Sequence, residues 1–171
     1  MLLKAIQKKV YQIIRAYRWH VVSKLIDEEN QSVLDIGCQD FFFYNKLKGA
    51  LCVTLADAHP RNEMIRKENI ECLSFEDKSF DIVLCLEVLE HTHDPVRAIK
   101  ELARVTRKDL IISIPNEPFF SLLRLCLWED EHLWALTPKI LKYYLGDPVW
   151  EKTIFSKRYY LAKWSVKQAS S

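Results

Sequence analysis

The sequence predicts an α/β fold: a doubly wound, mostly parallel sheet that ends in an antiparallel hairpin. Three observations carry this expectation. Short apolar runs at residues 33–36, 51–56, 82–86 and 110–114 read as buried parallel strands, which are apolar throughout because both faces are covered. Helical or turn segments separate them, and strands alternating with helices fold as crossover units. Residues 149–166, VWEKTIFSKRYYLAKWSV, form two β-rich runs with a tight break at Ser156-Lys157 and no helix between them, which makes a hairpin.

Taken in order, residues 2–27 place Leu3, Ile6, Val10, Ile13, Ile14, Tyr17, Val21 and Leu25 at steps of three and four, the signature of one helix face. The opposite face is basic, with Lys4, Lys8, Lys9, Arg15, Arg18 and Lys24 and no acid before Asp27. Between the third and fourth strands, Asp94 suits an N-cap and Pro95 the first helical position. Val96, Ile99, Leu102 and Ala103 then form the inward stripe. With 171 residues, 49% hydrophobic and 28% charged, the chain fits one domain over 1–171, an amphipathic helix at 1–28 leading into an α/β core at 30–171.

Composition narrows the function classes. A net charge of +2 gives no global field, so nucleic-acid binding is not indicated. The five cysteines, Cys38, Cys52, Cys72, Cys85 and Cys126, share no C-x-x-C spacing and sit mostly in apolar runs. They are expected to be buried reduced thiols in a cytoplasmic protein, with neither a disulfide framework nor a zinc site. No run approaches the ~20 apolar residues of a bilayer span, and charges interrupt the N-terminal apolar run that a signal peptide would need.

The carboxyl ends of the predicted strands hold the candidate chemistry, since ligands of such sheets bind there. The first strand ends Asp35-Ile36-Gly37 and turns through Cys38-Gln39-Asp40 toward a helix that Asp40 could cap. The second ends LADAHP, which sets Asp57 about 20 residues past the first glycine, where an acid can accept both hydroxyls of a ribose. A turn or cap residue is the plainer role for Asp57. The loop departs from a glycine-rich pattern at Gln39 and Phe41.

These residues carry a resemblance. VLDIGC, the acidic LADAHP, the run LSFEDKSFDIVLCLEVLEHTHDPVRAIKELARV and LIISIPNEP resemble, in order and spacing, the class I S-adenosylmethionine-dependent methyltransferases of the type 11 group, with some likeness to quinone-pathway O-methyltransferases. The resemblance implies a seven-stranded Rossmann-like sheet with S-adenosylmethionine as cofactor. It implies Asp35 and Gly37 around the methionine portion, Cys38 and Gln39 also at the cofactor, Asp57 on the ribose, Glu71 and Cys72 at the adenine edge, where Asn69 and Glu71 approximate the usual acid, and Leu86 beside the sulfonium.

For proton transfer the candidates are His91, His93 and His132, each with the alternative of ordering or packing a loop. Glu87, Glu90 and His91 stand at i, i+3 and i+4. On a helix they could hold a divalent ion, and the alternative, which we favour, is a capped turn without metal. The apolar segment at residues 119–128, FFSLLRLCLW, beside a basic amphipathic helix suits a small or lipid-like acceptor and peripheral membrane contact. Both segments could equally cover the core. Methyl transfer is the function expected, and a catalytically degenerate binding or scaffold protein is the alternative.

Overall fold

The computed structural model describes residues 2–26, 31–38, 42–47, 52–116, 133–155 and 158–166. Seven strands form one sheet: β1 Ser32–Ile36, β2 Cys52–Asp57, β3 Arg66–Lys67, β4 Phe80–Leu86, β5 Thr106–Pro115, β6 Trp150–Ile154 and β7 Tyr159–Ser165, in the order β3-β2-β1-β4-β5-β7-β6. The first five pair in parallel, and β7 and β6 close the sheet antiparallel, as the sequence predicts. Among the described residues the helices are α1 Leu2–Val22, α2 Tyr44–Leu47, α3 Pro95–Val105 and α4 Pro138–Leu145, with a 3-10 turn at Leu89–His91.

Side chains alternate across the strands, so two cores form. On one face Leu34, Ile36, Val83, Cys85, Leu110 and Ile112 pack with Ile99 and Leu102 of α3 and Leu141 of α4. On the other, Val33, Ile82, Leu84, Ile111 and Leu161 pack with Val21 and Val22 of α1 and with Phe43 and Leu47.

Helix α3 begins where the sequence places it: Asp94 Oδ1 accepts the Arg97 N–H at 3.0 Å, and Pro95 follows as the first helical residue. Its inward stripe is Pro95, Ala98, Ile99, Leu102 and Val105, whereas Val96 and Ala103 are only half-buried, a correction to the expected stripe. Strand β5 starts at Thr106, earlier than the apolar run suggests. Its polar opening residues are spoken for: Thr106 Oγ1 donates to the Leu102 carbonyl, and Arg107 and Lys108 both pair with Asp81.

Three further expectations are corrected. Helix α1 ends at Val22 and not near residue 27, where a turn carries Ser23 N–H to the Trp19 carbonyl and Lys163 Nζ takes the Leu25 carbonyl at 2.9 Å. Its inward line is Ile14, Arg18, Val21 and Val22, so Arg18 is buried at 5% exposure instead of lying on the basic face, while Ile13 and Tyr17 point to solvent. Cys52 and Cys72 are exposed, because the first opens a strand at its edge and the second lies in a turn, while Cys38 and Cys85 are buried. Cys126 and the Ser156-Lys157 break lie outside the described residues.

Arg104 of α3 fixes the approach to β4. Its guanidinium donates to the carbonyls of Leu73 and Phe75, to Asp77, and through Nε and Nη2 to Glu101, whose Oε2 also accepts the Leu73 N–H at 2.8 Å. The Arg104 hydrogen bond holds the Glu101 carboxyl below its ordinary 4.5. A depressed carboxyl stabilises the fold above its unfolded pKa and loses that contribution as pH falls through the folded value. Arg104→Leu is expected to cost roughly 2–3 kcal/mol in urea denaturation at neutral pH, because it strands two carbonyls and a partly buried carboxylate. The gap between variant and parent should narrow below pH 4.5, and a constant gap would argue against the Glu101 pairing.

Candidate functional site

Strand β1 stops because the Gly37 N–H turns into the Ala56 carbonyl at 2.8 Å with φ at +79°, a conformation L side chains rarely adopt. Val88 lies over this glycine so closely that an added Cβ would collide with its side chain. Strand β4 ends in a second left-handed residue, Glu87 at φ +60°. The Glu87 N–H reaches the Ser113 carbonyl at 3.0 Å, the Ser113 hydroxyl donates to Oε1 at 2.7 Å, and Arg18 Nη2 stands 3.5 Å from Oε2. The Arg18 guanidinium also rests 5.3 Å over the Tyr159 ring. A helix 69 positions earlier in the chain thereby supplies a buried cation to the end of β4, which periodicity alone does not reveal.

At the end of β2, Asp57 Oδ1 accepts the His59 N–H at 2.8 Å, which orients the carboxylate, and the Asp57 carbonyl accepts the Glu68 N–H. Glu68, itself buried, is neutralised by Arg66 at 2.7 Å and capped by the Ser74 hydroxyl and N–H. These ends enclose a cleft of about 370 Å³. Ile36, Gly37 and Val88 form its floor and one wall, Asp57 to His59 with Arg61 the opposite side, and Glu68 to Glu71 the end. Glu87, His91, Thr92 and His93 complete the lining. An apolar floor beneath a largely polar and charged lining suits a small organic ligand rich in polar groups.

The cleft gathers Gly37, Asp57, Asn69, Glu71, Glu87, His91 and His93 of the residues singled out in the sequence. Asp35 is buried on the α1 face of β1, Leu86 packs into the core on that same face, and Cys38 is buried against Leu55 and Ile65, so these three stand behind the lining. Cys72 is exposed and outside it. Glu71 lines the cleft, yet its Oε1 already accepts the N–H groups of His93 at 2.7 Å and Asp94 at 3.1 Å, tying the end of the cleft to the start of α3. Gln39, Asp40, Phe41, His132 and residues 119–128 lie outside the described residues.

The helical triad that the spacing of Glu87, Glu90 and His91 allows is not formed. Glu87 precedes the 3-10 turn in a left-handed conformation, Glu90 is buried beneath it, and His91 is exposed. Among the described residues no group of three His, Cys, Asp or Glu comes together to hold a metal ion. Burial, then the charges of Asp35 and Asp57, push the Cys38 thiol up to about 12, and burial beside Glu90 raises Cys85 well above 9.0. Both remain neutral thiols.

Residues 34–114 match the family described as methyltransferase domain. The chain is 28% identical over 101 residues to a tRNA U34 carboxymethyltransferase of Nautilia profundicola, covering 50% of this chain and 34% of that one. It is 27% identical over 148 residues to a ubiquinone biosynthesis O-methyltransferase of Coxiella burnetii, covering 77% and 63%. It therefore spans about a third to just under two thirds of the length of these curated relatives. In fold it is similar to a Burkholderia thailandensis 1,6-didemethyltoxoflavin-N1-methyltransferase with bound 1,6-didemethyltoxoflavin and S-adenosylhomocysteine. The TM-score is 0.63 at 16% identity over 82% of this chain and 72% of that one. The resemblance carried by the motifs holds: the chain is similar over residues 34–114 to methyltransferase domains, and its sheet is the Rossmann-like one that the resemblance implies.

Gly37→Ala is expected to lower stability by at least about 1–2 kcal/mol from the left-handed backbone alone, with displacement of Val88 adding to it, read as a shift in the urea midpoint. Thiol labelling should modify Cys52 and Cys72 in the native state and spare Cys38 and Cys85. Since Cys38 keeps its proton to about 12 when folded but ionises near 9.0 when unfolded, stability should decline as pH rises from 9 toward 12.

Proposed function

We propose that this chain binds S-adenosylmethionine in the cleft at the ends of β1, β2 and β4 and transfers its methyl group to a small-molecule acceptor with an apolar portion. The observation that carries this reading is the convergence of Gly37 and Asp57 on one cleft within the matched segment. The residues fit such a ligand. The cradle at Gly37 is one a Cβ would fill, and Asp57 is oriented by His59 through one oxygen, leaving its Oδ2 for ribose hydroxyls. Ile70 gives an apolar surface for the base beside Asn69 and Glu71, while Asp35, Cys38 and Leu86 support the floor from behind.

When bound, the sulfonium supplies an electrophilic methyl, so that an acceptor lone pair forms the new bond as the carbon–sulfur bond breaks and its electron pair returns to sulfur. The chain's task is then alignment, and fixing two reactants in line can supply ~7–11 kcal/mol of a barrier. Val88, held over Gly37, and Glu87, fixed by Ser113 and Arg18, give that alignment a rigid wall. Where the acceptor has a proton to lose, the exposed imidazole of His91 at the cleft is the group to take it. The apolar portion of the acceptor is supported by Leu133 and Trp134, both exposed. Their segment is fixed beside the cleft by hydrogen bonds from their N–H groups to the Glu90 carbonyl and from Trp134 Nε1 to the Thr92 carbonyl.

Calorimetry with S-adenosylmethionine and S-adenosylhomocysteine tests the reading. Both should bind in the micromolar range, and Asp57→Ala should weaken each by at least about tenfold, or about 1.4 kcal/mol, with the fold intact by circular dichroism. Unchanged affinity in Asp57→Ala would overturn the ribose assignment. Absence of binding by the parent at millimolar ligand would favour a scaffold role instead.

A further inference from the structure

We propose that the solvent face of α1 is a docking surface for an anionic lipid bilayer. Lys9, Ile13, Tyr17 and His20 fall within the same outward arc of the helix, at i, i+4, i+8 and i+11, and all four are exposed. Ile13 is 57% exposed and Tyr17 38%. Tyr11 lies on the inward side, seven residues before the buried Arg18, yet is 47% exposed. Apolar side chains left partly in water on two successive turns are what an interfacial helix inserts beneath headgroups.

Charge selects the occupant. The first 26 residues carry six of the chain's 25 lysines and arginines and none of its 23 aspartates and glutamates, so the remainder of the chain is net acidic. Of these cations, Lys9 and Lys24 are exposed, while Arg15 lies 4.4 Å over the Phe42 ring and Arg18 is buried against Glu87. Phe155 of the β6–β7 turn packs edge-on to Tyr17 at 5.2 Å, which extends the apolar surface from the helix onto the hairpin. A nucleic acid would be served by the cations alone and would leave Ile13 in water. Cations interleaved with isoleucine and tyrosine match anionic headgroups above acyl chains.

The same helix presents these residues outward and Arg18 inward to the cleft carboxylate Glu87, so docking would bear on an element that also packs against the cleft, where a lipophilic acceptor would receive its methyl group. That last step rests on the methyl-transfer reading, and the docking itself does not. No described helix is long and apolar enough to cross a membrane, so the contact is a surface one.

Vesicle flotation of the intact chain tests the surface without cofactor or acceptor, so its outcome is independent of the calorimetry above. Vesicles of phosphatidylcholine with phosphatidylglycerol should retain the chain, and pure phosphatidylcholine should retain at least about tenfold less. Lys9→Glu with Lys24→Glu should lower partitioning by about tenfold or more, and added salt should act in the same direction. Ile13→Ser, at an exposed position that leaves the core untouched, should weaken binding several-fold with the salt dependence retained. Equal binding to both vesicle types, or none to either, would overturn the proposal. So would charge-dependent binding indifferent to Ile13→Ser and fully competed by duplex RNA, which would assign the surface to a polyanion.

Discussion

The hydrogen bond from the Gly37 N–H to the Ala56 carbonyl governs the rest of the molecule. It closes the pairing of β1 with β2 one residue past their last matched pair, Ile36 and Ala56, and turns the chain into a left-handed bend that only glycine adopts without strain. From β1 the chain crosses to β2 and β3 on one side, whereas β4 and β5 build the sheet on the other. The two sets of connections diverge above β1, and the gap between them is the cleft. Val88 can close against Gly37 at that gap only because Gly37 has no side chain.

Around this opening the walls are held mainly by carboxylates and amides that accept backbone N–H groups. Asp57 holds His59, Asn69 holds Glu71, Glu71 holds His93 and Asp94, and Asp94 caps α3. Each contact is short in sequence except that of Glu71, which joins segments 22 and 23 residues apart and makes the wall continuous. Acidic side chains thus serve twice, fixing irregular backbone and lending the cleft its negative groups. Arg18 offsets one of them at Glu87, which couples the packing of α1 to the shape of the site.

The strand cores were legible because burial on both faces leaves an apolar run, and α3 because Asp94-Pro95 is a local signal. Gly37 and Asp57 could be placed together because the distance between them along the chain is a property of one crossover unit. Strand β3 was not legible: Arg66 and Lys67 are both exposed, and two charged residues give no apolar run. The polar start of β5 depends on Asp81, and the burial of Arg18 on Glu87, partners that no local window contains. The adenine-edge role of Glu71 was inferred without sight of its backbone partners, and the exposure of Cys52 and Cys72 shows that standing next to apolar residues is not the same as pointing with them.

An open sheet has two outer strands whose unpaired backbone invites another strand to add, and both are defended here. On one side β3 is two residues long and both are cationic, so a newcomer finds little backbone and a repulsive flank. On the other, β6 exposes Glu151, Lys152 and Thr153 in succession, and Glu151 is held by Lys142 at 2.9 Å and by the Tyr160 hydroxyl at 2.6 Å. Extending the sheet past β6 would strip these charged groups of water without offering them partners. The sheet is thereby protected against edge-to-edge aggregation.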